Sequence, residues 1–381
     1  MRPSEQYEDE SPAELGRLGE VVRTFAWLGI IGVGGPAAHI AMMRRRVVQR
    51  DGWVGEDEFA RMVGACALVP GPNSTEMAMA LGARRAGWRG LLAGGAAFII
   101  PAFAIVCAVA WLYEDVLTSD VIADVRRWVV PVVAAIVFDA LWTLRTTAVR
   151  DWRDAVIVAA AIVSAVAGVP ELLVLALVGA VAVVLRAQPP LPTMSFLALP
   201  PAAGITSLLG AFVAGTAAAG PTLTKIFLVF LQIGSVIYGS GYVLLVFLES
   251  EVVGRGWIST EVLLDAVSVG QFTPGPVFTT ATFIGWHLSG FAGATLATLG
   301  IFGPSFVFAA VVERVVAWSR RSATFAAFLR GVSSGSIALM TVVVWRLADE
   351  SLVDRWAIAT FVVALVALRV RTLRRWRLVR R

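Results

Sequence analysis

The chain has 381 residues, of which 58% are hydrophobic and only 15% charged, with a mean hydropathy of +0.78. A soluble protein of this size carries about 25% charged residues, so the composition excludes an ordinary soluble domain and implies a bilayer-embedded one. The formal charge of +5 does not point to nucleic acid, because the arginines cluster beside apolar runs, as the positive-inside rule expects of membrane helices.

Residues 1–21 read as a polar tail; Met1–Glu20 has no apolar run and is not a secretory leader. A first membrane unit, 22–186, follows, with span candidates at Val22–Met43, Leu91–Leu112 and Trp128–Thr147. Between the first two, Asp57–Arg85 is split by Pro70-Gly71-Pro72. Proline lacks an amide proton and glycine a Cβ, so Pro-Gly-Pro cannot continue a helix. Each piece reaches about 20 Å, short of the roughly 30 Å hydrocarbon core. A second short pair, Ala155–Gly168 and Glu171–Leu185, breaks at Gly168-Val169-Pro170.

Residues 187–222 are a Pro/Ala/Gly-rich linker. The second unit, 223–368, offers spans at Thr224–Leu248, Phe291–Val312, Thr324–Arg346 and Trp356–Leu368, and Pro274-Gly275-Pro276 splits Val262–Trp286. Residues 369–381 form a basic, cytoplasmic tail. Tryptophans such as Trp88, Trp111, Trp128, Trp152, Trp345 and Trp356 fall at segment ends, where their rings favour the headgroup level.

The two units are repeats. Gly29 and Gly34 match Gly234 and Gly239 at an offset of 205 residues, and the two Pro-Gly-Pro elements match at 204. Gly82, Gly87, Gly90, Pro101, Phe103 and Trp142 match Gly285, Gly290, Gly293, Pro304, Phe306 and Trp345 at 203. The pair Ala155–Leu185 has no counterpart after Leu368. Basic clusters lie on both sides of the first broken element (Arg44, Arg45, Arg46, Arg50; then Arg84, Arg85, Arg89). A re-entrant hairpin keeps both in the cytoplasm. Arg314, Arg320, Arg321 and the tail reach the same side if the halves are inverted, which leaves Arg126, Arg127 and Arg255 outside. The expected fold class is therefore an all-α, polytopic membrane protein of two duplicated, inverted repeats, each with a Pro-Gly-Pro-broken helix pair. Matched breaks of this kind point to a transporter's substrate site.

At the first break, Asn73 is expected as an N-cap, with Glu76 completing a capping box. The same turn, with Gly71, Asn73, Ser74 and Thr75, presents amides at a positive helix end, which suits an anion. Gly275, Gln271, Thr279 and Thr280 are the second copy's contribution, and two facing tips would cradle a tetrahedral oxyanion. Glu76 repels such a guest unless protonated, which makes it a proton-coupling candidate. The breaker Gly32-Val33-Gly34-Gly35-Pro36 serves helix packing or, through Gly34 and Gly35, ligand contact. His39 is either a hydrogen-bonded structural group or a proton relay. Asp139, deep in its span, is a third coupling candidate. Two histidines and two cysteines, far apart, give no metal-ligand spacing, and there is no phosphate-binding loop for ATP. No cofactor, metal or enzymatic activity is expected.

The duplicated Gly-Gly-Pro…His and Pro-Gly-Pro elements resemble the chromate ion transporter family in its long, two-domain form, over roughly Val22–Leu185 and Leu223–Leu368. Phe230–Leu245 and Gly270–Phe306 carry the resemblance most clearly, although Val33 stands where the family usually has Phe. The resemblance implies a multi-pass protein of the bacterial inner membrane that exports chromate, driven by the proton-motive force, and confers chromate resistance. A sulfate or related oxyanion transporter and a passive anion channel remain open alternatives. Expected partners are a chromate or sulfate-like oxyanion, protons and the lipid bilayer, with a homodimer as the assembly to test.

Overall fold

Helix breakers, more than apolar length, divide this chain. The computed structural model describes residues 12–33, 35–66, 69–116, 119–149, 151–167, 169, 171–186, 221–237, 243–351 and 355–379. Helix α1 (Pro12–Ile31) stops at Gly32, and α2 (Gly35–Met43) widens into π-helical turns over Arg44–Arg50. Then come α3 (Glu56–Cys66), α4 (Asn73–Trp111), α5 (Ser119–Ala148), α6 (Trp152–Val166) and α7 (Glu171–Arg186). The second half has α8 (Leu223–Val236), α9 (Leu244–Leu248) with π-helical turns over Glu249–Val253, α10 (Thr260–Phe272), α11 (Thr280–Arg321), α12 (Ala323–Ser351) and α13 (Arg355–Val379).

Val22–Met43 and Thr224–Leu248 are thus not the continuous spans their hydropathy predicts. Hydropathy averages over glycines, whereas the backbone at Gly32 and Ile237 leaves the helix. Two further bounds differ. Helix α1 reaches back into the expected tail 1–21, and α13 carries helix through most of 369–381.

Helix α4 folds back on itself. Ala86 (φ −142°, ψ 32°) and Gly87 (φ 61°, ψ −152°) leave helical geometry, the second in the left-handed region that glycine tolerates. A Cβ on Gly94 would lie 2.7 Å from the Ala78 carbonyl oxygen, although a straight helix would separate the two residues by about 24 Å. Gly82 and Gly90 likewise touch backbone to backbone, so their missing side chains let the arms close. Helix α11 repeats the device at Ser289 and Gly290, with Gly285 against Gly293. Each long helix is therefore a short arm and a long arm in antiparallel contact.

Glu58, early in α3, pairs with Arg84 at the end of the short arm of α4, at 3.2 Å. The two ends of the first broken element therefore lie together, and Arg44–Glu56 and Arg85–Glu20 pairs extend the same charged face. The long arm of α4 runs to the opposite pole of the molecule. There Glu114 meets His287, beside the turn of α11, at 2.6 Å, and Tyr113 donates to Asp265 of α10 at 2.6 Å. Phe103 and Phe291 stack edge-on between the two long helices.

Among the described residues, three stretches are long and apolar enough to cross a membrane: Asn73–Glu114, Val277–Val312 and Ala323–Val342. Large apolar side chains cover the outside as well as the inside: Trp345 is 76% exposed, Val184 74% and Val166 70%. Arginines stack over Trp88, beside the turn of α4, and over Trp152 and Trp356 at helix starts, placing amphipathic pairs where an interface belt would need them. The architecture is all-α, with the surface of a membrane protein.

Candidate functional site

Pro70 and Pro72 bring no N–H, so Gly71 carries the only amide of the first break. That amide donates to the carbonyl of Ile237, where α8 ends in the other half, at 2.7 Å. The second break does the converse: the Gly275 amide donates to the carbonyl of Gly32, where α1 ends, at 2.8 Å. The four interruptions thus meet as two crossed pairs. Gly71 (φ 130°) and Gly275 (φ 97°) hold backbones that side-chain-bearing residues rarely adopt. A Cβ on Gly275 would also run into the Ala102 side chain, and one on Gly71 into Glu76 and Ser305.

Polar groups collect around the first pair. Thr75, Glu76 and Ser305 are fully buried. The Thr75 hydroxyl, both Glu76 carboxylate oxygens and the Ser305 hydroxyl have no hydrogen-bond partner among the described residues. Buried polar groups are ordinarily satisfied, and four such atoms gather here without partners among the described residues. Helix α4 begins here with Pro72 as its cap residue, extended at φ −76° and ψ 92°. Asn73 is consequently the first helical residue and not the cap. The expected capping box is absent too: Pro72 takes the cap position, and the Glu76 carboxylate bonds no amide. Ser74 is buried alongside.

The second pair is quieter. Thr279 and Thr280 are buried, but their hydroxyls donate to the carbonyls of Pro276 and Val277, each at 2.8 Å. In this arrangement both protons are taken up by their own turn. Gln271 is half-buried at the end of α10. At the positions matching Glu76 and Ser305 stand Thr280 and Ala102. The two pairs share a backbone design and differ in chemistry.

His39, on α2, is buried, with its Nε2 2.9 Å from the Gly32 carbonyl. A carbonyl only accepts, so Nε2 carries a proton. The same oxygen therefore takes two bonds, from His39 and from Gly275. Nδ1 has no partner among the described residues, and the ring lies edge-on to Phe98. Gly35 opens α2 at φ 75°, while Gly34 lies outside the described residues. Asp139 is not part of this junction. It pairs with Arg369 of α13 at 2.8 Å, and Arg369 also lies over the Trp142 ring.

Ser305 is the residue that sequence reasoning missed. It follows Pro304 in an apolar run and looks like a packing serine; only the fold carries it across to Gly71. Its available signal was the mismatch with Ala102 inside an otherwise well-matched stretch. Among the described residues, no group of three or more His, Cys, Asp or Glu side chains could hold a metal ion.

The chain is similar to known proteins over nearly its whole length. The "Probable chromate transport protein" of Synechococcus elongatus is 30% identical over 92% of this chain and 89% of its own length. The "Chromate transport protein" of Pseudomonas aeruginosa is 29% identical over 83% and 77%, and that of Cupriavidus metallidurans 28% over 92% and 87%. No solved structure matches. The chromate transporter family pattern matches twice, at residues 19–184 and 224–379. A pattern covering both halves, together with these relatives, identifies the chain as a member of the chromate transporter family.

Proposed function

We propose that this chain is a secondary active transporter that exports chromate across the bacterial inner membrane, draws on the proton-motive force, and so confers chromate resistance. The substrate assignment follows from the family and from what its relatives are named for. The site is the junction of the four interruptions, and the observation that carries this reading is the crossed pair of glycine hydrogen bonds. Irregular backbone at membrane depth survives only where protein or a water-filled cavity satisfies it. Here each half satisfies the other, next to buried groups that lack partners.

The halves are read as an inverted duplication. In support, the first broken element begins and ends at one charged face (Glu58–Arg84), while the long arm of α4 finishes beside the turn of α11 (Glu114–His287). Inversion places those two hairpins at opposite poles, with the arginine-rich face of Arg44, Arg84 and Arg85 in the cytoplasm. Alternating access would then be a rocking of one half against the other around the glycine staples.

The test is flux of chromate and of sulfate in proteoliposomes, with and without an imposed pH difference and membrane potential. Concentrative chromate movement that responds to the gradient is expected. Movement only down its own gradient, indifferent to pH and potential, would make the protein a channel, and preferential sulfate uptake would make it a sulfate carrier.

A further inference from the structure

We infer that each oxyanion crosses together with a proton carried on Glu76, in the same direction, with Ser305 and Thr75 as hydroxyl donors to the anion. The inference rests on reading the junction as the substrate site. Its geometric basis is convergence on Gly71. A Cβ there would collide with Glu76 Oε1 from the same half and lie 3.0 Å from Ser305 Oγ of the other half. Both side chains are fully buried, both lack partners among the described residues, and they are not bonded to each other. Thr75, one residue before Glu76, is in the same state.

The chemistry of these groups selects a guest. A serine and a threonine hydroxyl each have one proton to donate. Glu76 donates only in its acid form; as a carboxylate it offers acceptors and a negative charge. No ion pair or hydrogen bond holds Glu76 among the described residues, and its titratable neighbour is the thiol of Cys66, at the end of α3. A tetrahedral oxyanion and an ionised carboxylate exclude one another in a low-dielectric site. The anion therefore enters when Glu76 holds its proton, and three donors from two halves then face it. By linkage, the bound anion strengthens the hold on that proton to the same degree. A coupling of this sign moves anion and proton together and never in exchange.

One proton per turnover is assigned to Glu76: the buried His39 is tied through Nε2 to the Gly32 carbonyl, and no carboxylate matches Glu76 at the second pair of breaks. Its counterpart to Glu76 is Thr280, whose hydroxyl is committed to Val277, and its counterpart to Ser305 is Ala102. The charge balance follows. A dianion leaving with one proton carries one negative charge outward; the proton binds Glu76 from the cytoplasm and is released outside. A negative cell interior drives this step, and an alkaline interior opposes it. Export would then draw on the electrical part of the proton-motive force alone.

The experiment is chromate efflux from proteoliposomes with a pH dye trapped inside and the potential clamped. Wild-type protein is expected to raise the internal pH as chromate leaves, with a rate that climbs as the internal pH falls. Glu76→Gln keeps a neutral donor but loses the titrating proton, so whatever chromate it releases should leave without a pH change and without pH dependence. Ser305→Ala, the residue the matching position already carries, should weaken chromate binding about ten-fold, as loss of one bond to a charged guest does, and leave the proton ratio unchanged. Protons moving inward as chromate leaves would overturn the inference on wild-type protein alone. Proton movement that persists in Glu76→Gln would do so too, since the proton would then ride on the anion. Wild-type protein that moves no chromate at all would instead sink the transport reading underneath.

Discussion

Gly275→Ala tests the crossed-glycine junction where its geometry is tightest. At φ 97° a side chain costs about 1–2 kcal/mol. The new methyl would also run into the Ala102 Cβ of α4 and lie 3.2 Å from the Gly29 carbonyl oxygen, an overpacking cost of about 1–3 kcal/mol. The expected total of about 2–5 kcal/mol is a large share of a typical stability of about 5–15 kcal/mol. Gly87→Ala is the control. Its φ is positive as well, at 61° with ψ −152°, but a Cβ there meets nothing within 4 Å, so only the backbone strain of about 1–3 kcal/mol applies. The decisive variant is Gly275→Ala with Ala102→Gly, which removes the opposing methyl at a helix-propensity cost of about 1 kcal/mol. Thermal unfolding in detergent, read with chromate flux, should reveal a coupling energy of about 1–3 kcal/mol between the two positions. Equal melting of Gly275→Ala and Gly87→Ala, or additivity within about 0.5 kcal/mol, would refute the contact between the second break and α4.

His39→Leu, copying the residue at the matching place, Leu244, should cost about 1–2 kcal/mol from the lost bond to Gly32; a melt measures this, and no destabilisation would argue against that bond. Asp139→Asn breaks a half-buried pair with Arg369 and should lower stability by about 1–2 kcal/mol while leaving protons per chromate unchanged. An altered ratio would return Asp139 to the coupling role. Asp151 caps α6 by accepting from the Asp154 amide at 2.9 Å, which, with Arg186 nearby, holds its carboxyl below the usual range. Its folded value is depressed, so its contribution is present above the unfolded value near about 4 and is lost as pH falls through the lowered one. Hydrogen exchange at the start of α6 should quicken over that interval in the wild type and show no such response in Asp151→Asn.

Much of the scaffold was legible because helix breaking is local chemistry. Pro-Gly-Pro cannot be helical wherever it stands, and the matched Gly82, Gly87 and Gly90 marked the place where α4 turns. What they do there was not legible. Gly82 and Gly90 would be about 12 Å apart on a straight helix, and only the left-handed Gly87 brings them into contact. Hydropathy failed at Val22–Met43 and Thr224–Leu248, since an average over a window ignores backbone geometry. The site was half visible. Thr75 and Glu76 were chosen for their place after a break, and they lie at the junction. Thr279 and Thr280 were chosen by the same logic, yet their hydroxyls bond their own turn, a choice that depends on rotamers. Asn73 lost the cap position because Pro72 already supplies the extended residue a cap requires. Ser305 needed the tertiary fold, because its partner Gly71 lies in the other half of the chain.

On the proposed mechanism, four helix interruptions meet inside the membrane around one oxyanion. An electron cryo-microscopy map of the protein in lipid nanodiscs, with and without chromate, tests it most directly. Added density is expected at mid-membrane depth beside Gly71, Glu76 and Ser305, with both Pro-Gly-Pro segments shielded from lipid. Either segment facing acyl chains, or chromate density lodged away from both, would contradict it.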